Sequence, residues 1–166
     1  MGQKKLVRFA ELETFRNVLQ YPEGMKGKWQ AFFGNEHPLT LELACGKGEY
    51  ALGLGRLYRN NNYIGVDVKG NRIWRGAKTA LDEGLSNVAF LRTQITMLED
   101  YFAPGEISDI WITFPDPNLE ESRAKKRLTS PRYLDRYRQF MTADGIVHLK
   151  TDSRPFYDYT LEIIAE

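Results

Sequence analysis

The chain has 166 residues, 42% hydrophobic and 27% charged, the make-up of one ordinary globular domain with no room for a second. Lys and Arg number 23 against 22 Asp and Glu, so the net charge of +1 names no polyanionic partner, and only the placement of charge can argue for one. A single cysteine rules out a disulfide framework, and two histidines beside it cannot build a usual zinc site; a Ser-His-Asp hydrolase survives the count with only His37 or His148 to serve it. No apolar run approaches the roughly 18 residues of a membrane span. The opening MGQKKLVRF has no apolar signal core, and Leu6 stands where myristoylation wants Ser or Thr. The expectation is a reduced, soluble, cytoplasmic protein, monomer or homodimer, with no membrane or metal partner.

Residues 1–38 read as an extension, basic at Lys4, Lys5 and Arg8 and then amphipathic in short pieces as far as Pro38. Its lysines, with Lys26 and Lys28, read as solvated charge rather than as a polyanion-binding arm. From Pro38 a rhythm sets in. Leu39–Leu43 is a short apolar strand ending at Gly46-Lys47-Gly48, and Tyr50, Leu54, Leu57 and Tyr58 mark a helix. Tyr63–Asp67 is a second strand, and Ile73, Ala77, Ala80 and Leu81 share a face at 3.6-residue spacing. Asn87–Leu91 and Ile107–Phe114 are a third and a fourth strand. A helix after Pro131 runs through Phe140 and Met141 to a stop at Asp144-Gly145, and Ile146–Leu149 is a fifth strand. Ser153 is placed to cap a last helix, with Pro155 in its first turn. Strands alternating with helices predict an α/β domain with a mostly parallel, doubly wound sheet, all strand-to-helix loops opening on one ligand-binding edge.

That edge collects the chemistry. Glycines at 46 and 48 let the backbone turn tightly and approach a ligand, and Asp67 ends the next strand at about the ~20-residue distance of a carboxylate that grips ribose hydroxyls. Gly46-x-Gly48-x-x-Ala51 satisfies a dinucleotide fingerprint, so a nicotinamide-dependent oxidoreductase is one reading. Glu42, on the strand just before the loop, favours another: its carboxylate suits the ammonium and sulfonium of S-adenosylmethionine and opposes a pyrophosphate. Cys45 reads as a small loop residue and no nucleophile. Asp116, stiffened between Pro115 and Pro117, and Asp152 after the fifth strand lie on the same edge, and Asp152 serves equally as a helix cap. Between 123 and 138, seven cations (Arg123, Lys125, Lys126, Arg127, Arg132, Arg136 and Arg138) oppose only Asp135, which suggests a phosphate-rich substrate for the 123–127 stretch. For Arg132, Arg136 and Arg138 a solvated helix face fits as well. Arg72, Arg75 and Lys78 read as the wet side of a helix, Trp111 as core, and Trp74 as either.

In this order and spacing KKLVRFAELETF, LELACGKGE, YIGVDVKG, NVAFLR, FPDP, KKRL and DGIVHLKTD make the chain resemble the bacterial single-chain tRNA (guanine-N7)-methyltransferases over nearly its whole length. The resemblance implies a Rossmann-like class I methyltransferase fold, S-adenosyl-L-methionine as donor and a variable-loop guanosine of tRNA as acceptor. It implies cofactor contacts at Glu42, Ala44, Gly46, Gly48, Asp67, Gln94 and Asp116, with Asp116 also catalytic, and substrate contacts at Lys125, Lys126, Arg127 and Asp152. Asn118 replaces the family's usual Trp, and Glu120 and Glu121 stand where it has a Lys. The family continues through two further strands, so 39–166 is expected to be a core lacking its last two strands, with the fifth strand an open edge. A non-catalytic RNA-binding module is the remaining alternative.

Overall fold

The computed structural model describes residues 2–166. Six strands form one sheet in the order β1-β4-β3-β2-β5-β6: β1 (Val18–Gln20), β2 (Leu39–Leu43), β3 (Asn62–Asp67), β4 (Val88–Arg92), β5 (Ile107–Thr113) and β6 (Met141–Lys150). Every pairing is parallel. The helices are α1 (Gln3–Leu12), α2 (Trp29–Phe33), α3 (Glu49–Leu57), α4 (Gly70–Asp82), α5 (Pro131–Arg138) and α6 (Arg154–Ala165), with 3-10 turns at Ile95–Asp100 and Glu121–Lys126.

Side-chain alternation along the strands divides the interior into two layers. Leu39, Leu41 and Leu43 of β2 and Ile64 and Val66 of β3 point to one face, where they meet Trp29, Ile110, Ile112, Tyr137 and Phe140. Tyr63 and Phe90 point to the other and meet Ala51 and Leu52 of α3 and Ile73, Ala77 and Ala80 of α4. The stripe expected at 73, 77 and 80 is therefore the buried face of α4, with Gly76 added to it.

Three expectations change. The segment before Pro38 is built into the body: β1 pairs with β4, and Leu12 and Trp29 are buried, Trp29 donating its indole N–H to the Tyr101 carbonyl at 2.8 Å. The helix after Pro131 stops at Arg138, and Met141 already belongs to β6. Phe140 is apolar because it fills the core under the sheet, which imitates a helical stripe. Asp144-Gly145 lies in an irregularity where β6 slips its register between Ile107 and Asp109, so a turn-like dipeptide sits inside a strand. Trp111 is only half-buried: it stacks on His148 across the β5–β6 pair with ring centroids 4.3 Å apart. Among the described residues β6 pairs with β5 alone and borders the sheet.

The chain runs outward from β2 through β3 to β4, then returns to β2's other side as β5. The crevice at the carboxyl ends of β2 and β5 is the switch point at which open parallel sheets bind ligands.

Candidate active site

A cleft of about 410 Å³ opens at that switch point, lined by Glu42, the 44–47 loop, Glu49, Tyr50, Arg72, Thr113 and Phe114. Its size suits a drug-sized small molecule. Both lips are strained. Ala44, directly after β2, has φ of +52°, and Phe114, directly after β5, has φ of +47°. Such left-handed backbone costs a side-chain-bearing residue roughly 1–2 kcal/mol and concentrates at functional sites.

The glycine loop is held from below and open above. Gly46 (φ +57°) has open space where a Cβ would be, the face a ligand would approach. Gly48 (φ +70°) backs onto the Phe90 ring, which a Cβ would strike. Asp67 ties the loop to β3: its Oδ2 accepts the Gly46 N–H at 2.8 Å and its Oδ1 accepts the Lys69 N–H at 2.8 Å. Each oxygen keeps a lone pair for a ribose hydroxyl.

Glu42 is 4% exposed, and its Oε2 accepts the Ala51 N–H at 2.8 Å in the first turn of α3. Burial pushes its carboxyl up to about 7, against the downward pull of the Ala51 and Tyr50 amides. Two consequences follow. The amides that would cradle a pyrophosphate in a dinucleotide site are engaged by a carboxylate, with Glu49 adding negative charge beside it, so the fingerprint at 46–51 does not make an anion site. A buried acid facing a cleft is instead completed by a cationic ligand. The residues present fit an amino-acid ammonium and a ribose. Cys45 is buried, and its thiol is pushed up by that burial and by the Glu42 and Asp67 charges, as suits a packing residue.

Asp116 is exposed on the loop after β5, where its Oδ1 accepts the Asn118 N–H at 3.0 Å. Gln94 is exposed after β4, and Asp152 is exposed after β6 while Ser153 caps α6. These loops, with Glu42 and Asp67, meet along one edge, as the topology requires. His148 bonds Asp109 through Nε2 at 2.9 Å. Among the described residues the buried Nδ1 of His37 has no partner and no serine bonds to either ring, so no Ser-His-Asp triad is assembled there. Nor do the described residues gather three metal-ligating side chains. Among the described residues no helix is long and apolar enough to cross a membrane.

The basic segment differs from its reading. Arg127 is 6% exposed: its Nε donates to the Asn118 carbonyl at 3.1 Å, Nη2 to the Leu119 carbonyl at 3.2 Å, and the guanidinium lies 4.2 Å from the centre of the Tyr159 ring. These contacts brace the Asp116 loop against α6 and compete with the phosphate contact expected of Arg127. Arg123 pairs with Glu120, Arg136 with Glu99 and Arg138 with Asp135. Lys125 and Lys126 remain exposed.

Gly76 is a site residue that the sequence reading passed over. A Cβ there would collide with the Lys47 carbonyl, so α4 presses directly on the glycine loop. A glycine inside a helix costs about 1 kcal/mol relative to alanine, and that cost is the signal of such close approach.

Residues 36–166 match a family profile described as "Putative methyltransferase". The chain is 50% identical to a tRNA (guanine-N(7)-)-methyltransferase of Bacteroides thetaiotaomicron, over 99% of this chain and 68% of that one. It is 53% identical to the enzyme of that name from Christiangramia forsetii, over 99% of this chain and 78% of that one. Among solved structures, an antibiotic-related methyltransferase superposes with a TM-score of 0.61 at 20% identity, covering 82% of this chain and 72% of its own, a likeness of fold. The strand order, the acid-flanked glycine loop and these relatives agree, and the chain belongs to the tRNA (guanine-N(7)-)-methyltransferase family.

Proposed function

We propose that the chain transfers the methyl group of S-adenosyl-L-methionine to N7 of a tRNA guanosine, one in the variable loop, in the cytoplasm. The observation that carries this reading is the buried Glu42 carboxylate on the first turn of α3 with Asp67 across the glycine loop: an acid for an ammonium and an acid for a ribose. When bound, the cofactor supplies an electrophilic methyl; the N7–carbon bond forms as the carbon–sulfur bond breaks, the electron pair stays on sulfur and the positive charge moves to the guanine ring.

The N7 lone pair is free at neutral pH, so no residue has to remove a proton before attack. The residues bind, orient and offset charge. Glu42 holds the ammonium, Asp67 the ribose, and the Ala44–Gly48 backbone lets the ligand lie close; Gln94 offers an amide to the adenine. Asp116 turns the guanine edge toward the methyl and offsets the developing ring charge, with Asp152 a second contact on the same edge. Lys125 and Lys126 hold phosphates.

Calorimetric titration with S-adenosylhomocysteine, with NADH as the control, tests the cofactor half. Saturable binding of the homocysteine compound alone is expected, and binding of NADH alone overturns the reading.

A further inference from the structure

Charge pairing redistributes the cations that count. In the 123–138 segment Arg123, Arg136 and Arg138 are paired with carboxylates and Arg127 is buried, which leaves Lys125, Lys126 and Arg132 exposed and outside any ion pair among the described residues. On α1 and the start of α4 the balance is opposite. Lys4, Lys5, Arg8, Lys69, Arg72 and Arg75 are all exposed, and none lies in an ion pair among the described residues. The two helices carry only two acids. Glu11 is taken up by the Trp74 indole N–H at 2.7 Å and by Lys78 at 3.5 Å, and Asp82 stands at the far end of α4.

We propose that this α1/α4 face binds the phosphodiester backbone of the RNA acceptor, an inference that rests on the methyl-transfer reading above. Lys4 and Arg8 lie one turn apart on α1, and Arg72 and Arg75 one turn apart on α4, so each pair shares a face. The two helices are locked together at one end: a Cβ on Gly70 would come within 2.8 Å of the Phe9 ring and 3.2 Å of Leu12. The Arg8 guanidinium lies 4.7 Å from the centre of the Trp74 ring, which orders it in advance of any ligand. Lys69 and these five cations on the two packed helices repel one another and have no carboxylate partner among the described residues, so a polyanion is what completes them. Continuity with the cleft decides which polyanion. Arg72 lines the cleft itself, and α4 begins three residues after Asp67, so a strand whose base enters the cleft runs its phosphates over α4 toward α1. Exposed Leu6 and Val7 beside Lys4 and Lys5 make an anionic membrane surface the competing occupant.

The test is fluorescence anisotropy of the chain with an unmodified tRNA transcript across a salt series, for wild type, for Lys4→Gln/Arg8→Gln/Arg75→Gln, and for Lys4→Gln/Arg75→Gln, which leaves the Arg8–Trp74 stack intact. Each lost phosphate contact flattens the plot of log affinity against log salt by about 0.7–0.9. The triple variant is expected to lose at least roughly tenfold in affinity at moderate salt and a little over about two units of slope, and the double variant about two-thirds of that slope. Affinity for S-adenosylhomocysteine is expected to hold in both. Wild-type affinity and slope in both variants overturn the proposal. So does a loss confined to binding of phosphatidylserine vesicles, which would give the face to a membrane. Failure of the wild-type chain to bind tRNA overturns it together with the RNA half of the function, and retained S-adenosylhomocysteine binding then leaves the cofactor reading standing.

Discussion

Arg127 gives the sharpest test, because a phosphate contact and an internal brace predict opposite results. Replacing it with methionine keeps the aliphatic bulk and removes two charge-assisted hydrogen bonds, to the Asn118 and Leu119 carbonyls, and the stack on Tyr159. Hydrogen bonds to charged groups are worth about 1.5–3 kcal/mol each. At 3.1 and 3.2 Å these two belong at the low end, about 3 kcal/mol together. A partly desolvated cation–π contact adds about 1 kcal/mol. A loss near 4 kcal/mol in a chain of this size lowers Tm by roughly 10 °C. Circular dichroism melts of wild type, Arg127→Met, Arg127→Lys and Lys126→Gln measure it. Lysine keeps the charge but lacks the fork that reaches two carbonyls, so it is expected to recover less than half the loss, while Lys126→Gln melts like wild type. Limited trypsin digestion should open the 123–126 stretch earlier in Arg127→Met. A melt within roughly 2 °C of wild type, with a salt slope for RNA binding shallower by about one unit, would refute the brace and return Arg127 to the phosphates.

Three further outcomes are expected. Because burial raises the Glu42 carboxyl from 4.5 to about 7, the folded chain holds a proton that the unfolded chain has released between those values. Stability from this group is therefore greatest below pH 4.5 and falls as pH rises to about 7. Glu42→Gln is expected to remove that slope and raise stability at pH 8 by about 3 kcal/mol, at about 1.4 kcal/mol per pKa unit, while abolishing S-adenosylhomocysteine binding; chemical denaturation at pH 5 and 8 with a calorimetric titration checks both. Gly76→Ala, although favoured by helix propensity, is expected to destabilise by about 1–3 kcal/mol and to weaken cofactor binding through the displaced Lys47 carbonyl, as urea melts and the same titration would record. Asp116→Ala is expected to abolish methyl transfer to tRNA with little loss of RNA affinity; retained turnover in a single-turnover assay would remove its assigned role.

What the sequence shows well is whatever depends on local pattern. The alternation of strands and helices, the glycine turn and the carboxylates closing β2 and β3 are set by nearest neighbours, and β2 and β3 are buried at every position. What it hides depends on partners distant in the chain. β1 is three residues long and has no pattern of its own, being a strand only because β4 pairs with it. Phe140 obeys the core rather than a helix. The basic run at 123–138 looks unopposed along the sequence because Glu99, which pairs with Arg136, arrives from another turn of the chain. The left-handed backbone at Ala44 and Phe114 has no residue signature, since glycine is absent from both positions.

The parallel sheet also sets an order of events during synthesis. Val18 lies opposite Phe90, and Thr40 opposite Asp109, so neither β1 nor the far edge of β2 finds its neighbour until long stretches of later chain have emerged. Pairings of such separation close slowly, because the entropy of the intervening loop is lost before the contacts form. The β2–β3 pair, nearer in sequence, is the one available early, and Phe90 then seats beneath Gly48 and Gly65 as β4 docks. The glycine turn thus gains its floor at the step that also admits β1, and the ligand cleft is finished only when β5 supplies its second wall.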